Sequence, residues 1–210
     1  MFRLFKKQNN KRVYLDNAGA TPVSLASQKA LIENGNIYGN PSGIHKEGVE
    51  AGRLLDKARA GIATLMNAHA YEVYFMSTGT ESCNMAIMGT YLDVMKNWKL
   101  KTENSLPHII TTVIEHPAVL EPIRYLEKEG KVRVTYIGVD ETGIVKARDV
   151  YDAITEETML ISVMYANNEV GTIQPVKEIG RLIDEWKRSH EKTFTSYPYF
   201  HIDACQATNY

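Results

Sequence analysis

Two spacings of apolar residues alternate along this chain, and the alternation limits the fold more than any other feature. Glu72-Val73-Tyr74-Phe75-Met76 reads as a short buried strand. His108 to Ile114, Val132 to Val139, Met159 to Ala166 and Tyr199 to Asp203 read as four more. Helical spacing lies between them. Leu55, Ala58, Ile62 and Leu65 step by threes and fours, as do Val119, Ile123 and Leu126, and Val176, Ile179, Ile183 and Trp186. A further helix is expected from about Glu81 to Trp98. Pro117 and Pro175 stand where first helical turns begin, a place where the missing N–H costs nothing. Strand and helix patterns in alternation build α/β units around a mostly parallel sheet with helices on both faces.

Composition narrows the function. Of 210 residues, 44% are hydrophobic, enough to fill a sizeable core. Lys+Arg is 24 and Asp+Glu is 25, so no charge excess asks for nucleic acid or an anionic membrane as partner. The exception is residues 1–12, where Arg3, Lys6, Lys7, Lys11 and Arg12 occur with no acid. They read as a basic flexible tail. The longest apolar run, Met159 to Met164, is too short to span a membrane. Two distant cysteines make no disulfide framework, so a reducing cytoplasm is expected. Trp98 to Ser105 and Ser189 to Ser196 read as surface loops, and residues 13–45 as an arm without strong strands.

In such a sheet, ligands bind beyond the carboxyl ends of the strands. Four of these ends carry unusual polar groups. Ser77-Thr78-Gly79-Thr80-Glu81-Ser82 precedes a helix. Gly79 lets backbone amides approach an anion, Thr80 adds a hydroxyl, and the helix dipole favours negative charge. The same residues also spell a capping box, Thr78 with Glu81. Glu115-His116-Pro117-Ala118 puts an imidazole at a strand tip, either to stack on a ring and move protons or to cap the next helix. Asn167-Asn168-Glu169-Val170-Gly171 offers two amides, for ligand contact or for turn chemistry. Asp203, with Gln206 three residues on, is either a cap or a partner for a protonated pyridine nitrogen. Four such groups at consecutive strand ends are hard to explain as turns. No metal site is expected.

Together these residues resemble the cysteine desulfurases, pyridoxal phosphate enzymes of the class V aminotransferase group. Tyr14-Leu15-Asp16-Asn17-Ala18-Gly19-Ala20-Thr21-Pro22 is similar to the family's opening segment, and Gly39-Asn40-Pro41-Ser42 with His45 to its next loop. The four strand-end motifs follow in the family's order. The resemblance implies the large domain of a fold type I pyridoxal phosphate transferase. It implies that Gly79 and Thr80 bind the cofactor phosphate, and that His116 stacks on the ring and assists proton transfer. It implies that Asn168 contacts the cofactor, Asp203 pairs with the pyridinium nitrogen and Gln206 bonds the ring hydroxyl. The implied substrate is L-cysteine, converted to L-alanine. Its sulfur passes through an enzyme persulfide to an acceptor, such as an iron–sulfur scaffold or a tRNA-thiolation protein. A homodimer is also implied.

The family's Schiff-base lysine, its persulfide cysteine and the arginine that holds the substrate carboxylate lie further C-terminal than Gln206, and no lysine follows Lys192 here. The expectation is therefore an N-terminal fragment, inactive alone and either poorly soluble or dependent on a partner. Residues 13–45 would pack on a missing small domain, and 46–210 would form an incomplete, C-terminally truncated large domain. Half of a split enzyme and a non-catalytic binding module are the alternatives. Cys83 reads as a small core residue. Cys205 reads as structural, turned away from the cofactor by strand alternation.

Overall fold

The computed structural model describes residues 12–98, 105–190 and 197–207. The chain divides into two compact units, Met1–Phe75 and Met76–Tyr210. The basic tail expected over residues 1–12 lies outside the described residues apart from Arg12, which is exposed.

The N-terminal unit is helical. Helix α1 (Leu25–Asn34) starts at Ser24, whose hydroxyl accepts the Ser27 N–H at 3.1 Å. Helix α2 (Lys46–Leu65) starts at His45, whose Nδ1 accepts the Gly48 N–H at 3.3 Å. The loop before α2 needs its glycine: a Cβ on Gly39 would fall 2.1 Å from the Glu47 carbonyl oxygen. Helix α2, counted with the sheet domain in the sequence reading, falls in the N-terminal unit.

The first expected strand is not a strand. Ala70–Glu72 forms a 3-10 turn, with the Glu72 carboxylate accepting the His69 N–H at 2.6 Å. Residues 73–76 follow outside any sheet. Tyr74 is 71% exposed. An extended run becomes a strand when a neighbour takes up its backbone donors and acceptors, and no described strand pairs with this one.

The C-terminal unit holds the sheet. Helix α3 (Gly79–Trp98) is followed by β1 (His108–Thr112), α4 (Pro117–Lys128), β2 (Arg133–Ile137), α5 (Ala147–Asp152), β3 (Thr158–Ser162), α6 (Val176–Ser189) and β4 (Tyr199–His201). The strand order is β2-β1-β3-β4, and every pair is parallel. Both central strands are buried along their whole length, as expected of a sheet covered on two faces. Ile109 and Leu160 pack with Ile87 and Val94 of α3 and Val119 and Ile123 of α4. Ile110 and Ile161 face the other way, onto Val150 of α5 and Ile179, Ile183 and Trp186 of α6. Each such aliphatic side chain contributes about 1.5–3 kcal/mol through burial.

The four expected strands in this unit are present but shorter at their ends. Pro117 is the first residue of α4, whereas Pro175 stands one place before α6 as its cap. The short helix α5 was not expected. Of the two expected surface loops, 99–104 and 191–196 lie outside the described residues. Trp98, expected both to end the helix and to open the loop, is the last residue of α3: it is buried, and its indole N–H donates to the Ser105 carbonyl at 2.8 Å.

Polar groups inside the sheet are paired across strands. His108 is fully buried, with Nδ1 bonded to the Thr158 hydroxyl at 2.9 Å and Nε2 to the Thr135 hydroxyl at 2.8 Å. Burial lowers its pKa to about 4, with Arg133 adding to the shift and Glu157 opposing it. Among the described residues, no helix is long and apolar enough to cross a membrane.

Candidate cofactor-binding site

The residues singled out at the strand ends lie beyond the carboxyl edge of β1, β3 and β4 and at the N-terminus of α3. The start of α3 accommodates both readings of its sequence. The Thr78 hydroxyl accepts the Glu81 N–H at 3.1 Å, and the Glu81 carboxylate accepts the Ser77 N–H at 2.8 Å and the Ser77 hydroxyl. Those bonds to Ser77 hold the Glu81 carboxyl below its usual range. The cap therefore takes the third amide of the helix. The first two, of Gly79 and Thr80, have no acceptor within a helix and are available to an anion.

Gly79 also meets the last site segment. A Cβ on it would fall 2.8 Å from Cys205 Sγ. The turn after β4 thus lies against the start of α3, and Cys205 does not point away as strand alternation suggested. The reason is local: β4 ends at His201, so Cys205 lies in a turn where alternation no longer applies. Asp203, half-buried, opens that turn by accepting the Cys205 N–H at 3.0 Å. Its backbone carbonyl accepts the Tyr165 N–H at 2.8 Å, tying it to the segment after β3. Cys83 lies one helical turn beyond Gly79 and is a core residue, 4% exposed. Burial pushes its thiol up to about 12, with Asp203 and Cys205 adding to the shift. Burial and Asp203 push Cys205 up to about 11. Neither thiol is activated as a nucleophile. Gln206 is exposed in the same turn.

His116 caps α4. Its Nδ1 accepts the Ala118 N–H at 3.0 Å, which leaves Nε2 to carry the proton of the neutral ring. A cleft of about 520 Å³ runs between α3 and α4, lined by Thr80, Asn84 and Met88 on one side and His116, Glu121 and Tyr125 on the other. It joins the expected phosphate and imidazole positions in one concavity.

The two asparagines divide the work that the sequence left open. Asn167 makes the turn, its Oδ1 accepting the Glu169 and Val170 N–H groups at 2.9 and 3.0 Å. Asn168 is the next residue in that turn and is half-buried. Glu115 stands in a strand-end motif, but the sequence assigned it no role of its own. It is 5% exposed, and its carboxyl links the ends of β1 and β3. The available signal was its place: a charged residue directly after a β-branched run meant for the core.

Pyridoxal phosphate fits this donor set. Two helix-start amides with the Thr80 hydroxyl suit a phosphate. A half-buried carboxylate suits a pyridinium nitrogen, and an imidazole suits a ring face.

The comparisons with known proteins agree with the geometry. The model of the Aminotransferase class-V family matches residues 13–208. A cysteine desulfurase IscS of Clostridium botulinum is 40% identical over 203 residues, which is 94% of this chain and 45% of that enzyme. The solved structure of a NifS-like protein superposes with a TM-score of 0.79 at 36% identity, over 92% of this chain and 49% of the other. A structure described as SspA in complex with cysteine gives 0.78 at 32%, over 92% and 51%. The chain spans about half the length of the relatives it matches. Class V aminotransferases and cysteine desulfurases depend on pyridoxal phosphate. By its matched span and its parallel sheet, this chain belongs to the class V aminotransferase family.

Proposed function

We propose that these residues form the cofactor-holding part of a cysteine desulfurase, which takes sulfur from L-cysteine and leaves L-alanine. The observation that carries the reading is the contact of Gly79 with Cys205, which sets the turn opened by Asp203 against the anion-binding start of α3. When bound, pyridoxal phosphate supplies an electron sink for the amino acid. The Gly79 and Thr80 amides and the Thr80 hydroxyl hold the phosphate. Asp203 holds the proton on the ring nitrogen, and Gln206 bonds the ring hydroxyl. His116 would stack on the ring, and its Nε2–H could serve in proton transfer because Nδ1 is occupied by the α4 cap. Asn168 contacts the cofactor near the substrate.

The substrate proposal is supported by the cysteine-bound neighbour and by the desulfurase relatives. The sulfur would leave as a persulfide for an acceptor protein of iron–sulfur assembly or tRNA thiolation, from a homodimer in the cytoplasm. Neither Cys83 nor Cys205 suits the persulfide role, since both thiols are shifted upward. We assign these 210 residues non-covalent binding alone.

Titration of the chain with pyridoxal phosphate tests the reading by absorbance and circular dichroism of the bound cofactor. Saturable binding is expected, lost on dialysis and not trapped by borohydride. Asp203→Asn should weaken it by about tenfold, the size of one charge-assisted hydrogen bond. Equal affinity in wild type and Asp203→Asn would overturn the assignment of Asp203. A cofactor retained through dialysis and borohydride would overturn non-covalent binding.

A further inference from the structure

The loops at the sheet's carboxyl edge are separate in sequence, and one buried side chain ties two of them. Glu115 Oε1 accepts the Thr112 hydroxyl at 2.7 Å and the Met164 backbone N–H at 2.7 Å. Met164 lies two residues past β3, 49 positions from Glu115. The Asn167 side-chain N–H donates to the Ile114 carbonyl at 3.3 Å, a second tie between the same segments. His116 follows Glu115 directly, and Asn168 follows Asn167. Glu115 Oε2 is buried with no hydrogen-bond partner among the described residues.

We propose that Glu115 is a positioning residue for the cofactor site: through Oε1 it latches the segment carrying His116 to the segment carrying Asn168. The proposal rests on the reading of this site as a pyridoxal phosphate pocket. The bare Oε2 decides the form in which the latch works. A charged oxygen buried without a donor is costly. Burial pushes the Glu115 carboxyl up to about 7. The Thr112 hydroxyl and Met164 amide pull against that shift, and Asp203 adds to it. The titratable groups facing it are Asp203 beyond β4 and Cys83 on α3, with Cys205 and His201 grouped around Asp203. Both thiols stay protonated at neutral pH, and burial lowers the His201 imidazole. A neutral Glu115 keeps its two accepted bonds without placing a second carboxylate charge near Asp203. Gln keeps the accepting oxygen and cannot ionise. Ala removes the latch.

The experiment compares wild type, Glu115→Gln and Glu115→Ala as full chains, by amide NMR over a pH series. The Met164 and Asn168 resonances should move with one shared midpoint near that of Glu115 in wild type. They should lose that midpoint in Glu115→Gln while keeping the wild type's low-pH positions. In Glu115→Ala the Asn168 resonances should depart from wild type at every pH while those of Ile183 stay. Pyridoxal phosphate added to the same samples should bind about tenfold more weakly to Glu115→Ala and within about threefold of wild type to Glu115→Gln, as for other groups that orient a ligand's contacts. Asn168 resonances that ignore the Met164 midpoint, or that stay unmoved in Glu115→Ala, overturn the latch. So does equal cofactor affinity in all three chains. If Glu115→Ala does not fold, the wild-type and Gln series still decides. If none of the chains binds the cofactor, the pocket reading fails, and the resonances still decide whether Glu115 joins the two segments.

Discussion

The two units of this chain contain helices of similar length but bury very different amounts of them. Helix α2 runs for 20 residues and buries Gly48, Ala51 and Ala63. Helix α3 is also 20 residues long, and its Cys83, Ile87, Val94 and Trp98 are all buried. No residue of α1 is buried, and Leu25, Leu31 and Ile32 lie open at 83%, 68% and 80% exposure. Local signals thus suffice to write a helix with a cap at its start. A core needs something non-local to close on, and in this chain that is the parallel sheet of the second unit. The site follows the same division, since every residue assigned to the cofactor lies in the sheet unit.

The comparison is broken or sharpened most strongly by truncating one side chain in each unit. Leu160 is 1% exposed at the centre of the sheet. Leu160→Ala should cost about 2–5 kcal/mol in urea unfolding, the lost transfer energy plus the cavity left behind. Ile32→Ala should stay within about 0.5 kcal/mol, as for an exposed position. An Ile32→Ala loss comparable to that of Leu160→Ala would mean that α1 is covered in solution.

Charge burial divides the units in the same way, and here the effects oppose each other. Among the described residues, the shifts large enough to carry a value belong to Cys83, His108, Glu115, Tyr136 and Cys205, all in the sheet unit. Glu115 titrates near 7 when folded and near 4.5 when unfolded. Between those values the folded state holds more protons, so stability falls as pH rises, by about 3 kcal/mol in all. His108 titrates near 4 when folded and 6.5 when unfolded. There the unfolded state holds more protons, so stability is lost as pH falls, again by about 3 kcal/mol. His201, lowered by burial, leans the same way as His108. Over the shared window the wild type should therefore vary little. Glu115→Gln should unmask a stability that climbs with pH, and His108→Gln one that declines. Urea midpoints across pH 4.5 to 6.5 check this. Identical slopes in all three proteins would show that neither group is held in its neutral form.

Legibility from sequence followed the same line. The four strands of the sheet unit were readable because β-branched runs such as Ile109 to Ile114 have one use in a folded chain. Residues 72–76 are largely apolar too, but Val73 is their one β-branched residue and no described strand pairs with them, and a strand is a property of two segments. The site motifs were readable as chemistry, though not as geometry. Residue type alone leaves Asn167 and Asn168 equivalent; the resemblance singles out Asn168, and the turn around Asn167 Oδ1 shows what its neighbour does. His116 held two possible roles, and the structure permits both, because capping uses Nδ1 and leaves Nε2. The Glu115–Met164 bond and the Gly79–Cys205 contact were not legible for one reason. Each is defined by a residue dozens of positions away, and no local spacing announces such a partner.

Glycine gives the smallest contrast between the units and tests the site most directly. Gly61 lies inside α2, where an added Cβ would meet nothing within 4 Å. Gly61→Ala should therefore stabilise by about 0.5–1 kcal/mol, through helix propensity and a less free unfolded chain. At Gly79 the same methyl would press on Cys205 Sγ at 2.8 Å. Forcing a side chain aside in this way costs about 1–3 kcal/mol, which outweighs the propensity gain. The displaced atom belongs to the turn that Asp203 opens, so pyridoxal phosphate affinity should fall together with the melting temperature. Adding Cys205→Ala to Gly79→Ala removes the sulfur that the new methyl would strike and should recover much of each loss. A double variant that regains stability but not cofactor affinity would place the importance of Gly79 in the close approach of its own backbone to the phosphate. Recovery of both would place it in the seat that Gly79 provides for the Asp203 turn.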